Sequence, residues 1–168
     1  MSTPNLQEAQ GTLAATAAQS IRRRIVSDGA QTLTTAQSGA LCLFNNATGF
    51  TFTLPAITAN TVGTWYEFMC SVTNTATVAK VITDSASTFL LGEIWLGVEN
   101  RTPAAGPGPK AYALNGTTHR AINQGGADTT TGGVIGSYFK VTAISTTQWM
   151  VEGFLVGAGT IATPVATS

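Results

Sequence analysis

AQTLTTAQSGALCLFNNATGFTFTLPA, residues 30–56, holds two short apolar runs, Leu41–Phe44 and Phe50–Leu54, joined by Asn45-Asn46-Ala47-Thr48-Gly49. In the second run Phe50, Phe52 and Leu54 alternate with Thr51 and Thr53. A period of two puts the apolar groups on one face and the hydroxyls on the other, the pattern of a half-buried strand. Pro55 closes it, because proline cannot donate to a ladder. None of these side chains is equipped for chemistry. The segment predicts a β-fold with a threonine-covered exterior, and it moves the question of function from catalysis toward surface and assembly.

The pattern extends outward from there. Gln31–Thr34 precedes it as a short strand. Thr64–Val72 alternates cleanly, with Tyr66, Phe68, Cys70 and Val72 on one face and Trp65, Glu67, Met69 and Ser71 on the other. Large apolar groups on both faces suit a central strand, or one that touches a neighbouring subunit. Ala79–Thr83 and Phe89–Leu96 follow. Val134–Ile144 and Gln148–Val156, joined by Ser145-Thr146-Thr147, read as a hairpin in which Trp149, Val151 and Leu155 alternate with Met150, Glu152 and Phe154. Between these lies Glu99–Gly133, rich in Pro and Gly, where only Lys110–Leu114 has strand character. This is read as a loop excursion at one end of the body. Roughly eight to nine short strands without a helix in the body predict an all-β chain, an antiparallel β-sandwich or jelly-roll-like barrel.

Residues 1–29 differ from the rest: rich in Ala and Gln, free of aromatic residues, and ending in Ile21-Arg22-Arg23-Arg24-Ile25-Val26-Ser27-Asp28-Gly29. They are read as an extended N-terminal arm contacting a partner, residues 30–157 as the body with its excursion at 99–133, and residues 158–168 as a flexible C-terminal tail.

Composition narrows the function classes. Charged residues make up 10 % of the chain, against about 25 % in an ordinary domain, and the net charge is zero. No long-range field draws nucleic acid or an anionic membrane. A neutral surface with few charges is poorly protected from self-association, which suits a surface covered by other subunits. The first residues lack a basic n-region and a continuous apolar run, so no signal peptide is expected and synthesis in a cytoplasm is. Cys42 and Cys70 lie in strand-like runs without metal-ligand spacing and are read as small buried hydrophobes.

The residue types for catalysis are sparse. His119 is the single histidine, in the polar turn Asn115-Gly116-Thr117-Thr118-His119-Arg120, and no nucleophile elbow surrounds any serine. The eight acidic residues are scattered along the chain. Gly125-Gly126 and Gly132-Gly133 are not followed by the Lys-Ser/Thr of a phosphate loop. The expectation is a non-enzyme without metal or cofactor. Trp65, Trp95 and Trp149 are read as core or subunit interface rather than as a sugar-stacking platform. Arg22, Arg23 and Arg24 form the one charge cluster; arginine is the better interface donor, so they are candidates for a protein contact.

LTTAQSGALCLFNNATGFTFTLPA resembles a segment of tailed-bacteriophage virion proteins: Leu-Thr, a small polar turn ending in Ser-Gly, a short strand, then alternating aromatic and Thr residues and Leu-Pro-Ala. A longer strand like Trp65–Val72 and a Trp-bearing hairpin like Gln148–Gly153 belong to the same pattern, which covers about half the body. The resemblance implies a capsid decoration (head cement) protein. Such a protein sits on the outer capsid surface of the virion, commonly as a homotrimer, and bridges major capsid subunits. On that reading Arg22, Arg23 and Arg24 contact the capsid, and Trp65, Met69 and Trp95 form the subunit interface. Two other readings stay open: a phage tail fibre or receptor-binding β-module, with the 99–133 loops as receptor surface, and a carbohydrate-binding module.

Overall fold

The computed structural model describes residues 25–26, 29–99, 108–126 and 129–168. The chain forms a β-sandwich of two sheets, not a closed barrel. Its strands are β1 (Ile25–Val26), β2 (Gln31–Thr32), β3 (Ala40–Phe44), β4 (Thr51–Thr53), β5 (Trp65–Cys70) and β6 (Val78–Ile82) in the first half. The second half supplies β7 (Phe89–Val98), β8 (Lys110–Asn115), β9 (Ala121–Gly125), β10 (Tyr138–Ser145), β11 (Gln148–Gly157) and β12 (Val165–Ala166). One sheet has seven strands in the order β1-β3-β5-β10-β11-β7-β8, the other five in the order β12-β9-β6-β4-β2.

The sheets are mixed rather than purely antiparallel. From β1 to β6 the chain changes sheet at every strand. As a result β1, β3 and β5 lie side by side and parallel in one sheet, while β2, β4 and β6 do the same in the other. Parallel neighbours need a long crossover, usually a helix. Here a strand of the opposite sheet makes it. Alternation with period two is the same in both kinds of ladder, so the sequence pattern does not distinguish them. The second half adds the expected β10–β11 hairpin, an antiparallel β7–β8 pair, and a parallel pairing of β11 with β7.

The strand phases come out as the alternation requires. Phe52 is fully buried between the half-covered Thr51 and Thr53. Tyr66, Phe68 and Cys70 point inward from β5, and Trp149, Val151 and Leu155 do so from β11. The rings interlock: Phe44–Phe52 at 5.1 Å between centroids and Phe52–Phe68 at 5.6 Å across the sandwich, and Phe68–Phe139 stacked at 5.1 Å within the seven-stranded sheet. Each such fully buried side chain contributes about 1.5–3 kcal/mol of transfer free energy.

The stretch from 99 to 133 holds more structure than its loop-like composition predicts. Besides β8, it carries β9, which pairs antiparallel with β6 and β12 inside the five-stranded sheet. At the C-terminus β12 forms that sheet's edge, held by the Asn123 amide to the Pro164 carbonyl at 2.7 Å, the Arg120 amide to the Ala166 carbonyl at 2.9 Å and Arg120 Nε to the Thr167 carbonyl at 2.9 Å.

Candidate functional site

The seven-stranded sheet has one face in the core and one outside. Its pairing register fixes which residues share each row of the outer face. Leu43 stands opposite Met69, Met69 opposite Tyr138, Tyr138 opposite Phe154, and Phe154 opposite Trp95. This is an apolar row crossing five strands. Trp95 is 46 % exposed, Phe154 45 % and Tyr138 37 %. Isolated exposed apolar residues are ordinary, whereas a contiguous row of large ones marks an interaction surface.

The next row is charged: Glu67, Lys140, Glu152 and Glu93 in sheet order. Glu67 is nearly buried and accepts a 2.7 Å hydrogen bond from the Tyr138 hydroxyl, which ties this row to the apolar one. Lys140 Nζ lies 4.0 Å from Glu152 Oε1 and 5.1 Å from the centroid of the Trp65 ring. Trp65 opens a third row with Thr142, Met150 and Leu91.

Trp65, Met69 and Trp95, singled out from the sequence as interface residues, therefore lie on one face. Met69 and Trp95 share a row. Trp65 is half-buried, its indole against Gly39 and beneath Lys140. Tyr138 and Phe154 join them on this face, although nothing local in the sequence marks either as an interface residue. Their phase was legible, since Phe154 alternates with buried neighbours, but joining them to Trp95 requires the β11–β7 pairing, which joins segments about 60 residues apart and leaves no local mark. Arg22, Arg23 and Arg24 lie outside the described residues.

The other candidates have structural surroundings. His119 Nδ1 accepts from the Asn115 amide at 3.2 Å, closing a turn in which Asn115 Oδ1 takes the amides of Thr117 and Thr118. Cys42 and Cys70 are both buried and free, and burial pushes each thiol up to about 12. Cys70 Sγ lies 3.2 Å from Gln124 Oε1. Trp149 is buried in the core against Tyr66. Among the described residues no group of three or more His, Cys, Asp or Glu side chains converges on a metal position. No helix among them is long and apolar enough to cross a membrane.

No protein-family model, curated protein or solved structure matches the chain.

Proposed function

We propose that the chain is a non-enzymatic structural protein of a phage virion that decorates the outer capsid surface and stabilises it by bridging major capsid subunits, assembled as a homotrimer. The observation that carries this reading is the exposed row Leu43–Met69–Tyr138–Phe154–Trp95 on a rigid sheet. A surface of large apolar side chains, with a short charged row beside it, is suited to burial against protein. The resemblance over residues 33–56 supplies the virion context. The arm, residues 1–29, reaches a capsid or neighbouring subunit, and many copies on a lattice turn a modest single contact into firm attachment. Neither nucleic acid nor a membrane is a partner on this reading, and no cofactor is needed.

Immunogold electron microscopy of virus particles, with antibody to this chain, tests it. Even label over heads supports decoration. Label confined to tail tips moves the function to receptor binding. No label on any particle removes the virion reading.

The exposure of Trp95 favours one second reading. An indole in the open beside Phe154 and Tyr138 is also a stacking platform for sugar rings. A glycan array answers this: saturable binding that is lost on Trp95→Ala would replace the decoration reading with a carbohydrate-binding one.

A further inference from the structure

The outer face of the seven-stranded sheet has an acidic excess. Glu93 and Glu152 are direct partners on the parallel strands β7 and β11, and like charges so placed repel. Lys140 approaches Glu152 and stands one strand further from Glu93. Among the described residues no ion pair reaches Glu93, and its side chain is exposed. What complements this face is therefore apolar with added positive charge.

The chain contains one such segment. Ile21-Arg22-Arg23-Arg24-Ile25 places three guanidinium groups between two branched apolar residues, and residues 1–20 hold no Lys or Arg at all. Elsewhere the basic side chains are single, and several are engaged: Lys80 with the Ser168 carbonyl, Arg120 with Thr167, Lys140 with Glu152.

The topology limits what this segment can reach on its own copy. Ile25 begins β1, at the sheet edge opposite β7, with β3, β5, β10 and β11 between them. At about 4.8 Å per strand the separation is about 24 Å. Arg22 is three residues before Ile25, so its Cα stays within about 10 Å of that edge. A guanidinium of the same chain meets Glu93 only with the backbone and both side chains at full stretch, a geometry that docking on a neighbouring copy does not impose.

We infer that Ile21–Arg24 of one copy docks on the outer sheet face of a neighbouring copy, its guanidinium groups on Glu93 and Glu152 and its apolar residue beside the Trp95–Phe154 row. The contact is heterologous, edge of one subunit to face of the next, and closes into a ring when the rotation allows, as a trimer requires. It leaves residues 1–20 to reach the capsid. The inference rests on the assembly reading above and names the partner of that same face.

Sedimentation of the full-length chain tests it in three variants. E93R/E152R and R22E/R23E/R24E each bring like charges together, and each is expected to raise the self-dissociation constant by about tenfold or more. Combining all five substitutions restores opposite charges and is expected to return the wild-type oligomer. Far-ultraviolet circular dichroism and thermal unfolding check that each variant is folded. A wild-type chain that stays monomeric overturns the inference. So does unchanged assembly in both charge-reversed variants, or failure of the combined variant to recover assembly while folded. A monomeric chain that still labels capsid heads leaves the decoration reading standing without this contact.

Discussion

Trp95 and Phe154 stand directly opposite each other on the parallel strands β7 and β11, and each leaves close to half its surface in water, 46 % and 45 %. The ring of Phe154 also covers Gly97: a Cβ built there would fall 2.5 Å from Phe154 Cζ. A bare glycine thus gives the ring its seat and sets the shape of the apolar row. On the same two strands Leu96 and Leu155, one residue on, are fully buried. One pairing serves the core on one side and the exposed row on the other.

Replacing Trp95 or Phe154 by Ser is expected to cost about 1 kcal/mol of stability or less, because much of each side chain is already in water. Trp149→Ala, in the core, is expected to cost about 3–5 kcal/mol. Urea unfolding separates the two classes. The same Trp95 and Phe154 variants are expected to weaken self-association in sedimentation runs. A large loss of stability in either would instead make the row part of the fold's own support.

Two glycines on this sheet predict opposite outcomes. A Cβ at Gly153 would lie 2.4 Å from Phe139 Cα and 2.6 Å from the Tyr138 carbonyl oxygen, and backbone there cannot step aside. Gly153→Ala is expected to cost several kcal/mol, on the order of overpacking strain at about 1–3 kcal/mol plus a disturbed ladder. At Gly97 the obstacle is the mobile end of Phe154. Gly97→Ala is expected to leave the urea midpoint nearly unchanged while lowering self-association, since the ring must leave its seat. Equal destabilisation of the two would contradict this distinction.

The strands with strong alternation were legible: β4, β5 and β11 show their inward and outward faces residue by residue. β9 was not. Ala121-Ile122-Asn123-Gln124-Gly125 has one large apolar residue in five positions, and Gln124 is buried with its amide oxygen against Cys70 Sγ. Its strand character comes from pairing with β6 and β12, which propensity does not record. The three tryptophans show the same limit. All sit in strand-like runs, yet Trp149 is in the core, Trp65 lies half-covered under Lys140, and Trp95 is open. Strand phase says which residues share a face; the packing of the two sheets says which face is covered.

The hydrogen bond from Tyr138 to Glu67 couples the two rows of the outer face at 2.7 Å. Glu67 is only 8 % exposed, so its carboxylate depends on such donors in place of water. Tyr138→Phe keeps the ring and removes this donor. A hydrogen bond to a charged group contributes about 1.5–3 kcal/mol, and a loss in that range is expected in urea unfolding at neutral pH. The comparison is Tyr66→Phe, whose hydroxyl donates to the neutral Thr34 carbonyl at 2.7 Å; it is expected to cost about 0.5–1.5 kcal/mol. The reverse ranking would count against a buried carboxylate at Glu67.

Alkaline pH provides a test of the core itself. Burial pushes the thiols of Cys42 and Cys70 up to about 12, whereas an exposed thiol in the unfolded chain titrates near 8.5. Between those values the unfolded state has lost the protons that the folded state still holds. Fewer protons bound in the unfolded state means that stability falls as pH rises, by about 1.4 kcal/mol per pH unit for each thiol. Below about pH 8 both states keep the proton, and the two cysteines add no slope. Tyr66, pushed up by its burial and by Cys42 beside it, adds to the fall above its ordinary value of about 10. The urea midpoint is therefore expected to fall steeply above pH 9. In C42A/C70A, compared with its own value at pH 7, the fall is expected to be shallower. Native protein at pH 8 is expected to leave a thiol-specific reagent unreacted until urea is added. Parallel pH profiles for the two chains, or prompt reaction without urea, would mean that water reaches the space between the sheets.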